Sequence, residues 1–250
     1  MEFLSYEEFL ANLERVRARV AEACRAAGRG PDAARILAVT KTHPVEAALY
    51  AHRAGLAGAG ENRVQEGLEK IAACPERAVR WELIGHLQSN KAAKAAAAFA
   101  RIQSVDRVEL AEKLDRAVQA LGLAKDGFLR QDQGEPARHV LPVLLQVNAG
   151  DDPAKFGVDC AGAAGLLEAA LKCAALRVEG LMTVAPLAPG NPAVAERCFA
   201  RLRETRDALA AKFGVELPEL SMGMSDDLEA AVRQGSTLVR VGTALFGKRG

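Results

Sequence analysis

The chain has 250 residues, of which 50% are hydrophobic and 26% are charged, so its composition is that of a globular protein with a substantial core. Its 33 basic and 32 acidic side chains nearly cancel, which gives no electrostatic case for a nucleic-acid partner. Aromatic residues make up only 4%, which argues against recognition of bases or sugars by stacking.

No uninterrupted apolar run reaches the length of a membrane span, and the N-terminus lacks the apolar core of a signal peptide. We therefore expect a cytoplasmic protein. Its five cysteines are scattered without a CxxC pair, which favours reduced thiols over disulfides or a zinc site. The histidines have no ligand-like spacing, so no metal site is expected.

An amphipathic helix is predicted over residues 5–27, with Gly28 as its stop signal, and forms a helical N-terminal extension over about 5–28. Eight strand candidates follow, over residues 36–41, 56–62, 81–85, 101–106, 141–148, 178–184, 219–225 and 238–246. Helices are predicted between them, over residues 44–54, 63–73, 90–99, 107–120, 161–173, 193–213 and 226–234. Residues 122–139 read as a polar loop that is longer than most such connections.

Alternating strands and helices indicate a parallel sheet with right-handed crossovers. The main alternative is an open doubly wound sheet, but no GxGxxG motif follows the first strand. Eight units in about 215 residues suit a closed α/β barrel better. We therefore predict a single (β/α)8 TIM-barrel domain over residues 1–250.

Polar residues stand at the carboxyl ends of the predicted strands, which in a barrel converge on one mouth where active sites form. Lys41 ends the first strand, AVTK. A lysine that points into the barrel has a lowered pKa and can form a Schiff base with an aldehyde. From its position alone, an outward-pointing Lys41 at the strand end is the competing interpretation.

The last two units have the features of a phosphate site. The segment SMGMSDDLEAAV places Gly223 and Ser225 before a helix over residues 226–234, of which Ser225 is a natural N-cap. Free backbone N–H groups and the helix dipole favour an anion there. Gly242 and Thr243, in RVGTALFG, are placed to donate to the same phosphate. Ordinary capping and turn chemistry is the alternative, and the two aspartates after Ser225 must face outward or be held by other donors.

Further polar residues are candidates for the rim of a pocket. They are Asn62, His86, Gln88, Ser89 and Asn90, although His86 alone is more typical of a structural histidine. Arg240 lies on an apolar strand and needs a partner, because an unpaired buried guanidinium is costly. That partner is either a carboxylate or the ring nitrogen of a bound cofactor.

At these motifs the sequence resembles the pyridoxal phosphate homeostasis protein family, whose members are related to the N-terminal barrel of alanine racemase. The matching stretches run in order from AVTKTHP, GENRVQE and WELIGHLQSNK through IQSVDR, LLQVN and EGLMTV to LSMGMSDDLEAAV and GSTLVRVGTALFG. Together they span nearly the whole chain, and GHLQSNK with SMGMSDDLEAA is the most specific part.

The resemblance implies pyridoxal 5′-phosphate (PLP) held as a Schiff base on Lys41 and regulation of amino-acid and keto-acid balance without a robust enzymatic activity. It implies that the cofactor-binding residues are Lys41, Asn62, Ser221, Met222, Gly223, Ser225, Arg240, Gly242 and Thr243, with Arg240 at the pyridine nitrogen. Apo forms of PLP-dependent enzymes are the implied recipients. The chain departs from the family pattern at Arg63, Glu82 and Phe156, the last between Lys155 and Gly157, and we expect these differences to alter the pocket rim.

The alternative function is a PLP-dependent amino-acid racemase. Racemisation needs a base on each face of the substrate. Alanine racemase takes its second base, a tyrosine, from a separate domain across a dimer, whereas this chain has only Tyr6 and Tyr50, neither at a predicted strand end. A carrier or regulator is therefore favoured, and so is a monomer over a dimer. A phosphate-binding barrel unrelated to PLP is a third interpretation, which would make the motif matches accidental.

Overall fold

The computed structural model describes residues 3–76, 79–121 and 140–247, so the polar loop predicted over 122–139 lies outside the described residues. Eight parallel strands form a closed barrel in chain order, with the eighth strand paired to the first. The predicted (β/α)8 barrel is confirmed, and the open doubly wound sheet is excluded. The single domain over residues 1–250 stays a prediction.

The strands are β1 (Arg35–Val39), β2 (Ala59–Glu61), β3 (Trp81–Leu83), β4 (Arg101–Val105), β5 (Leu141–Gln146), β6 (Leu176–Met182), β7 (Glu219–Ser221) and β8 (Leu238–Val241). The helices are α1 (Tyr6–Ala26), α2 (Val45–Arg53), α3 (Val64–Ala73), α4 (Ala92–Ala98), α5 (Val108–Leu121), α6 (Ala163–Leu171), α7 (Pro192–Phe213), α8 (Leu228–Arg233) and α9 (Thr243–Phe246). A short 3-10 helix, Ser89–Lys91, precedes α4.

The eighth strand is shorter than the sequence predicted. It ends at Val241, and the segment that was expected to continue it forms α9. The backbone N–H of Phe246 donates to the carbonyl of Gly242 at 2.9 Å, a helical bond that takes this segment out of the sheet. The prediction of a strand up to residue 246 was therefore wrong, because an apolar run of this length fits a strand and a buried helical turn equally well.

Helix α1 begins and ends as its sequence indicates. Ser5 forms a capping box, in which its hydroxyl accepts from the N–H of Glu8 at 3.2 Å and its own N–H donates to the Glu8 carboxylate at 2.7 Å. Gly28 follows the end of the helix with a φ of +66°, which confirms it as the stop signal. The buried face of α1, including Phe9 and Leu13, packs with residues of α8 and α9.

Two apolar clusters surround the barrel wall. The larger lies under α3 to α8, and the smaller lies under α1 and α2, where Ile36 and Ala38 of β1 belong to it. All five cysteines are free. Within the described part of the chain, none of the helices has the length and apolar character that a membrane crossing requires.

Candidate functional site

Lys41 lies at the mouth of the barrel, two residues after β1 ends. Ile36 and Ala38 belong to the cluster outside the barrel wall. Because alternate residues of a strand share a face, Leu37 and Val39 face the interior and the same alternation directs Lys41 inward. The side chain is half-buried. The alternation of the strand therefore favours a Lys41 side chain that points into the barrel, one of the two orientations that its sequence position allowed.

The backbone before Lys41 is held by a lysine of α3. The ammonium of Lys70 donates to the carbonyl of Thr40 at 2.7 Å and to the carboxylates of Glu61 and Glu66 at 2.8 and 2.9 Å. We call Lys70, Glu61 and Glu66 the Lys70 clamp. It lies between the barrel wall and α3, behind the strand end that carries the site lysine.

The backbone after Lys41 is held by the same clamp. Thr42 has a φ of +64°, a left-handed conformation that a threonine adopts only with strain, and its N–H donates a short hydrogen bond to Glu66. Charged side chains therefore fix the peptide on both sides of Lys41. Sequence reasoning missed Lys70, because a lysine on an amphipathic helix is ordinarily a solvated residue.

Glu61 is the most buried member of the clamp, with no exposed surface. The Thr40 hydroxyl donates to its Oε1 at 2.6 Å, while Oε2 has no hydrogen-bond partner. Burial raises the pKa of Glu61 above its usual value, although the hydrogen bond from Lys70 works in the opposite direction. The contacts of Glu61 lie on the outer side of the barrel wall.

The two segments expected to hold a phosphate lie side by side. The N–H of Ala244 donates to Oγ of Ser225 at 3.3 Å, which joins the loop after β7 to the start of α9. Gly223 has a φ of +93°, and a Cβ there would lie 2.4 Å from Cβ of Ala231. A Cβ on Gly242 would lie 3.2 Å from the carbonyl oxygen of Val39. Glycine is thus required at Gly223, and the backbone forms a cradle of the kind that binds phosphate next to helix starts.

The predicted start of the helix after the cradle, and with it the capping role of Ser225, needs correction. Helix α8 begins at Leu228 rather than at residue 226, so Ser225 is not its N-cap. Asp227 occupies that position, and its carboxylate accepts from the N–H of Met224 at 2.6 Å. Burial raises the pKa of Asp227, and the hydrogen bond from Met224 works in the opposite direction. Met222 has no exposed surface and packs in the larger cluster, which leaves only its backbone near the cradle.

Arg240 crosses the floor of the mouth with 4% of its surface exposed. Its Nη1 donates to the carbonyl and the hydroxyl of Ser221 at 2.7 and 2.8 Å, and its Nη2 donates to the carbonyl of Thr183 at 2.7 Å. Burial lowers the pKa of Arg240 to about 10, opposed in part by the charge of Asp227. The guanidinium is thus held by neutral oxygens. Its remaining N–H groups can donate to a ring nitrogen.

The rim carries an aromatic pair that includes one of the departures from the family pattern. Phe156 stacks on His86 with ring centroids 3.8 Å apart, and 56% of Phe156 is exposed. Nδ1 of His86 lies 3.1 Å from a carboxylate oxygen of Asp106. Asn62 is half-buried beside them, with its backbone against Gly85, where any Cβ would lie 2.1 Å from the Asn62 carbonyl oxygen.

The expectation that Glu82 alters the rim was wrong. Glu82 lies inside the barrel with no exposed surface, and its carboxylate accepts from Arg101 at 2.8 Å and from Gln103 at 2.6 Å. Strand alternation alone does not show how deep in a barrel a residue lies. The signal in the sequence was Arg101 on β4, a charged residue in a neighbouring strand that can pair with Glu82.

Comparison with known proteins agrees with this geometry. The family model for the alanine racemase N-terminal domain matches residues 11–250. A protein of Pseudomonas aeruginosa named pyridoxal phosphate homeostasis protein is 41% identical over 238 residues, which cover 95% of this chain and 94% of the relative. This chain belongs to the pyridoxal phosphate homeostasis protein family.

Two solved structures share the barrel fold of this chain. PipY of Synechococcus elongatus, solved with PLP bound, is 35% identical with a TM-score of 0.72, covering 91% of this chain and all of PipY. An alanine racemase of Clostridium difficile has a TM-score of 0.76 but only 15% identity, covering 97% of this chain and 57% of the racemase. The second likeness shows a shared fold and no more.

Proposed function

We propose that this protein binds pyridoxal 5′-phosphate and carries or buffers it through a Schiff base with Lys41. In this way it regulates intracellular PLP and, through it, the balance of amino acids and keto acids. The observation that carries the proposal is the convergence of Lys41, the glycine cradle and Arg240 on one barrel mouth. The name of the Pseudomonas relative and the PLP-bound PipY structure support it.

Each group has a separate task in holding the ligand. The amine of Lys41 condenses with the ligand's aldehyde, and one water molecule leaves. The Lys70 clamp keeps the backbone of Lys41 in place for this bond. The cradle formed by Gly223, Ser225, Gly242 and Thr243 offers backbone and hydroxyl donors to the phosphate, and neighbouring helix starts add a favourable dipole.

Arg240 is placed to determine whether the ring nitrogen of the ligand carries a proton. A guanidinium only donates hydrogen bonds, so a pyridine nitrogen that faces it must accept and stay unprotonated. PLP supplies an electron sink to enzymes, and that sink is strongest when the ring nitrogen carries a proton. Arg240 therefore holds the ligand while weakening the property that most PLP enzymes use.

The positions of the tyrosines argue against the alternative, an amino-acid racemase. Tyr6 and Tyr50 lie in an aromatic cluster with Phe9 and Phe246, and their own ring centroids are 5.1 Å apart. That cluster packs α1 against α2 and α9 on the outside of the barrel. Neither tyrosine is placed to act as the second base at the mouth. We propose a protein without a robust enzymatic activity.

The proposed function also implies where the protein acts and which proteins receive the cofactor. We propose a monomer in the cytoplasm that delivers PLP to apo forms of PLP-dependent enzymes. Lys41 is only half-buried, which suits transfer of a small ligand. Incubation of the loaded protein with such an apo-enzyme should restore that enzyme's activity, and an enzyme that stays inactive while free PLP activates it would contradict the delivery role.

Absorbance tests the attachment to Lys41. Purified protein mixed with PLP should develop the visible band of a lysine-bound pyridoxal, and borohydride should fix the cofactor on the peptide that contains Lys41. Lys41→Ala should abolish both signals. Lys94→Ala, which changes an exposed lysine on α4, should leave them intact. A wild-type protein that gains no band would refute the proposed function.

Deuterium exchange separates a carrier from a racemase. The loaded protein is incubated with L-alanine in deuterated water, and the amino acid is analysed for α-deuterium and for the D-enantiomer. We expect negligible exchange during a time in which a racemase would reach equilibrium. Rapid exchange with a D-product would establish the racemase instead.

A further inference from the structure

A row of hydrogen bonds runs from Arg240 down through the barrel interior. Oγ of Ser221, which accepts from Arg240, donates to Oε1 of Gln103 at 2.6 Å. Nε2 of Gln103 donates to Oε2 of Glu82 at 2.6 Å, and Nε of Arg101 donates to the same oxygen at 2.8 Å. All five side chains are buried. We call Arg240, Ser221, Gln103, Glu82 and Arg101 the interior relay.

The relay has a carboxylate at one end and the Arg240 guanidinium at the other, and these two groups determine which atom donates in every hydrogen bond between them. An ionised carboxylate only accepts, so the amide NH2 of Gln103 must face Glu82 and its carbonyl must face Ser221. The Ser221 hydroxyl must then donate to Gln103, which turns its lone pairs toward Arg240. Arg240 only donates, and this arrangement satisfies it. One glutamine thus sets the orientation of the hydroxyl that holds the guanidinium.

Two guanidinium groups surround the carboxylate of Glu82 at the far end of the relay. Arg101 donates to Glu82 and also to the carboxylates of Glu179 and Glu219 at 3.2 and 3.1 Å. Arg80 lies 3.2 Å from the other Glu82 oxygen. The carboxylates of Glu82, Glu179 and Glu219 raise the pKa of Arg101 above its usual value, so it stays cationic in spite of burial. Glu82 thus faces two guanidinium groups, which only donate hydrogen bonds, so its oxygens accept.

We infer that Gln103 is a positioning residue for Arg240, polarised by Glu82, and that it sets the guanidinium against the pyridine nitrogen of bound PLP. This inference rests on the proposed function, because it takes the cofactor to be PLP. Gln103 does not touch the ligand itself. Without its amide, the Ser221 hydroxyl is free to rotate and donate elsewhere, and Arg240 loses one of its three acceptors.

The test has one readout that needs no cofactor. Nitrogen-detected NMR of the apo-protein, with the signals assigned by their loss in Arg240→Lys, should show two separate Nη signals because the group is held at both ends. In Gln103→Leu these signals should shift or merge. Affinity for PLP, followed by the absorbance band, should fall roughly tenfold, which is the loss expected for a hydrogen bond to a charged group.

Three variants sharpen the result. Gln146→Leu removes the amide of another buried glutamine, on β5, that bonds to the Phe156 carbonyl and stands outside the relay. It should leave the Arg240 signals unchanged. Gln103→Glu should behave like wild type, since a carboxyl beside ionised Glu82 takes up a proton and then donates to Glu82 as the amide does. Ser221→Ala removes the hydroxyl in the middle of the relay. If Gln103→Leu does not fold, this variant replaces it, and the same change in the Arg240 signals is expected.

Unchanged Arg240 signals together with unchanged PLP affinity in Gln103→Leu would overturn the inference. Equal changes of the Arg240 signals in Gln146→Leu would do the same, because they would show a general response to a lost buried amide. If wild-type protein gives no Lys41-dependent band, the proposed function fails. The Arg240 signals of the apo-protein then decide on their own whether Gln103 orients the guanidinium.

Discussion

Lys70→Met probes the clamp behind the site lysine. The side chain of Lys70 is 11% exposed and that of Glu61 is fully buried, so the substitution leaves an uncompensated carboxylate inside the protein. Breaking a buried pair by removing one partner costs about 3 kcal/mol. For a protein of this size each kcal/mol shifts the melting temperature by roughly 2–4 °C, so we expect a loss of about 6–12 °C near neutral pH.

The pH dependence follows from the pKa of Glu61, which burial raises above its usual value of 4.5. Loss of Lys70 raises it further, so the folded variant binds a proton more tightly than the unfolded chain does. The deficit relative to wild type is therefore full above the folded pKa. It shrinks as the pH falls and is small below 4.5, where Glu61 is protonated in both states. PLP affinity should also fall, because the carbonyl of Thr40 loses its donor.

Chemical denaturation over a range of pH, on wild type and variant side by side, measures this directly. Lys113→Met is the matched control, because Lys113 pairs with Glu109 at 2.8 Å on α5 but both side chains are exposed. It should cost at most about 0.5 kcal/mol. Adding Glu61→Gln to Lys70→Met should recover much of the loss. A Lys70→Met deficit as small as the control's, or one that grows toward low pH, would refute the reasoning.

Three further outcomes are expected. Gly223→Ala should cost roughly 2–4 kcal/mol by urea denaturation because its Cβ meets backbone strain and a close neighbour, whereas Gly165→Ala, which meets no atom within 4 Å in α6, should be neutral or stabilising. Arg19→Met removes the donor to the Ser225 carbonyl at 2.9 Å, so PLP should bind a fewfold more weakly in a spectroscopic titration. Burial raises the pKa of Cys198 to about 11, so iodoacetamide at pH 8 should label the half-exposed cysteines first, as peptide mass spectrometry would show.

The barrel itself was predictable because its signals are local. Apolar β-rich runs alternate with amphipathic runs, and the carboxyl ends of the strands carry the polar residues. Lys41, Gly223 and Gly242 could be singled out on that ground. Their neighbours in the sequence contain the turn and helix signals that place them at the mouth.

The clamp and the interior relay could not be predicted, because each depends on contacts between different elements of the fold. Lys70 reads as a surface lysine until Glu61 is found beneath it. Gln103 sits in an ordinary strand, and its partner Ser221 is 118 residues away. A sequence pattern shows which face of a strand a residue occupies, but it does not show which charged group lies opposite.

Helix α1 also bears on how this chain folds during synthesis. Its Asn12 donates to the carbonyl of Leu245 at 2.9 Å, and Arg19 pairs with Glu229 at 2.7 Å, so these two partners lie more than 200 residues downstream. At roughly 5–20 residues per second, a ribosome needs on the order of 10–45 s to make them. Tyr50 of α2, which packs on Phe9, is made much earlier. The contacts of α1 with α8 and α9 therefore form only after nearly the whole chain has been synthesised.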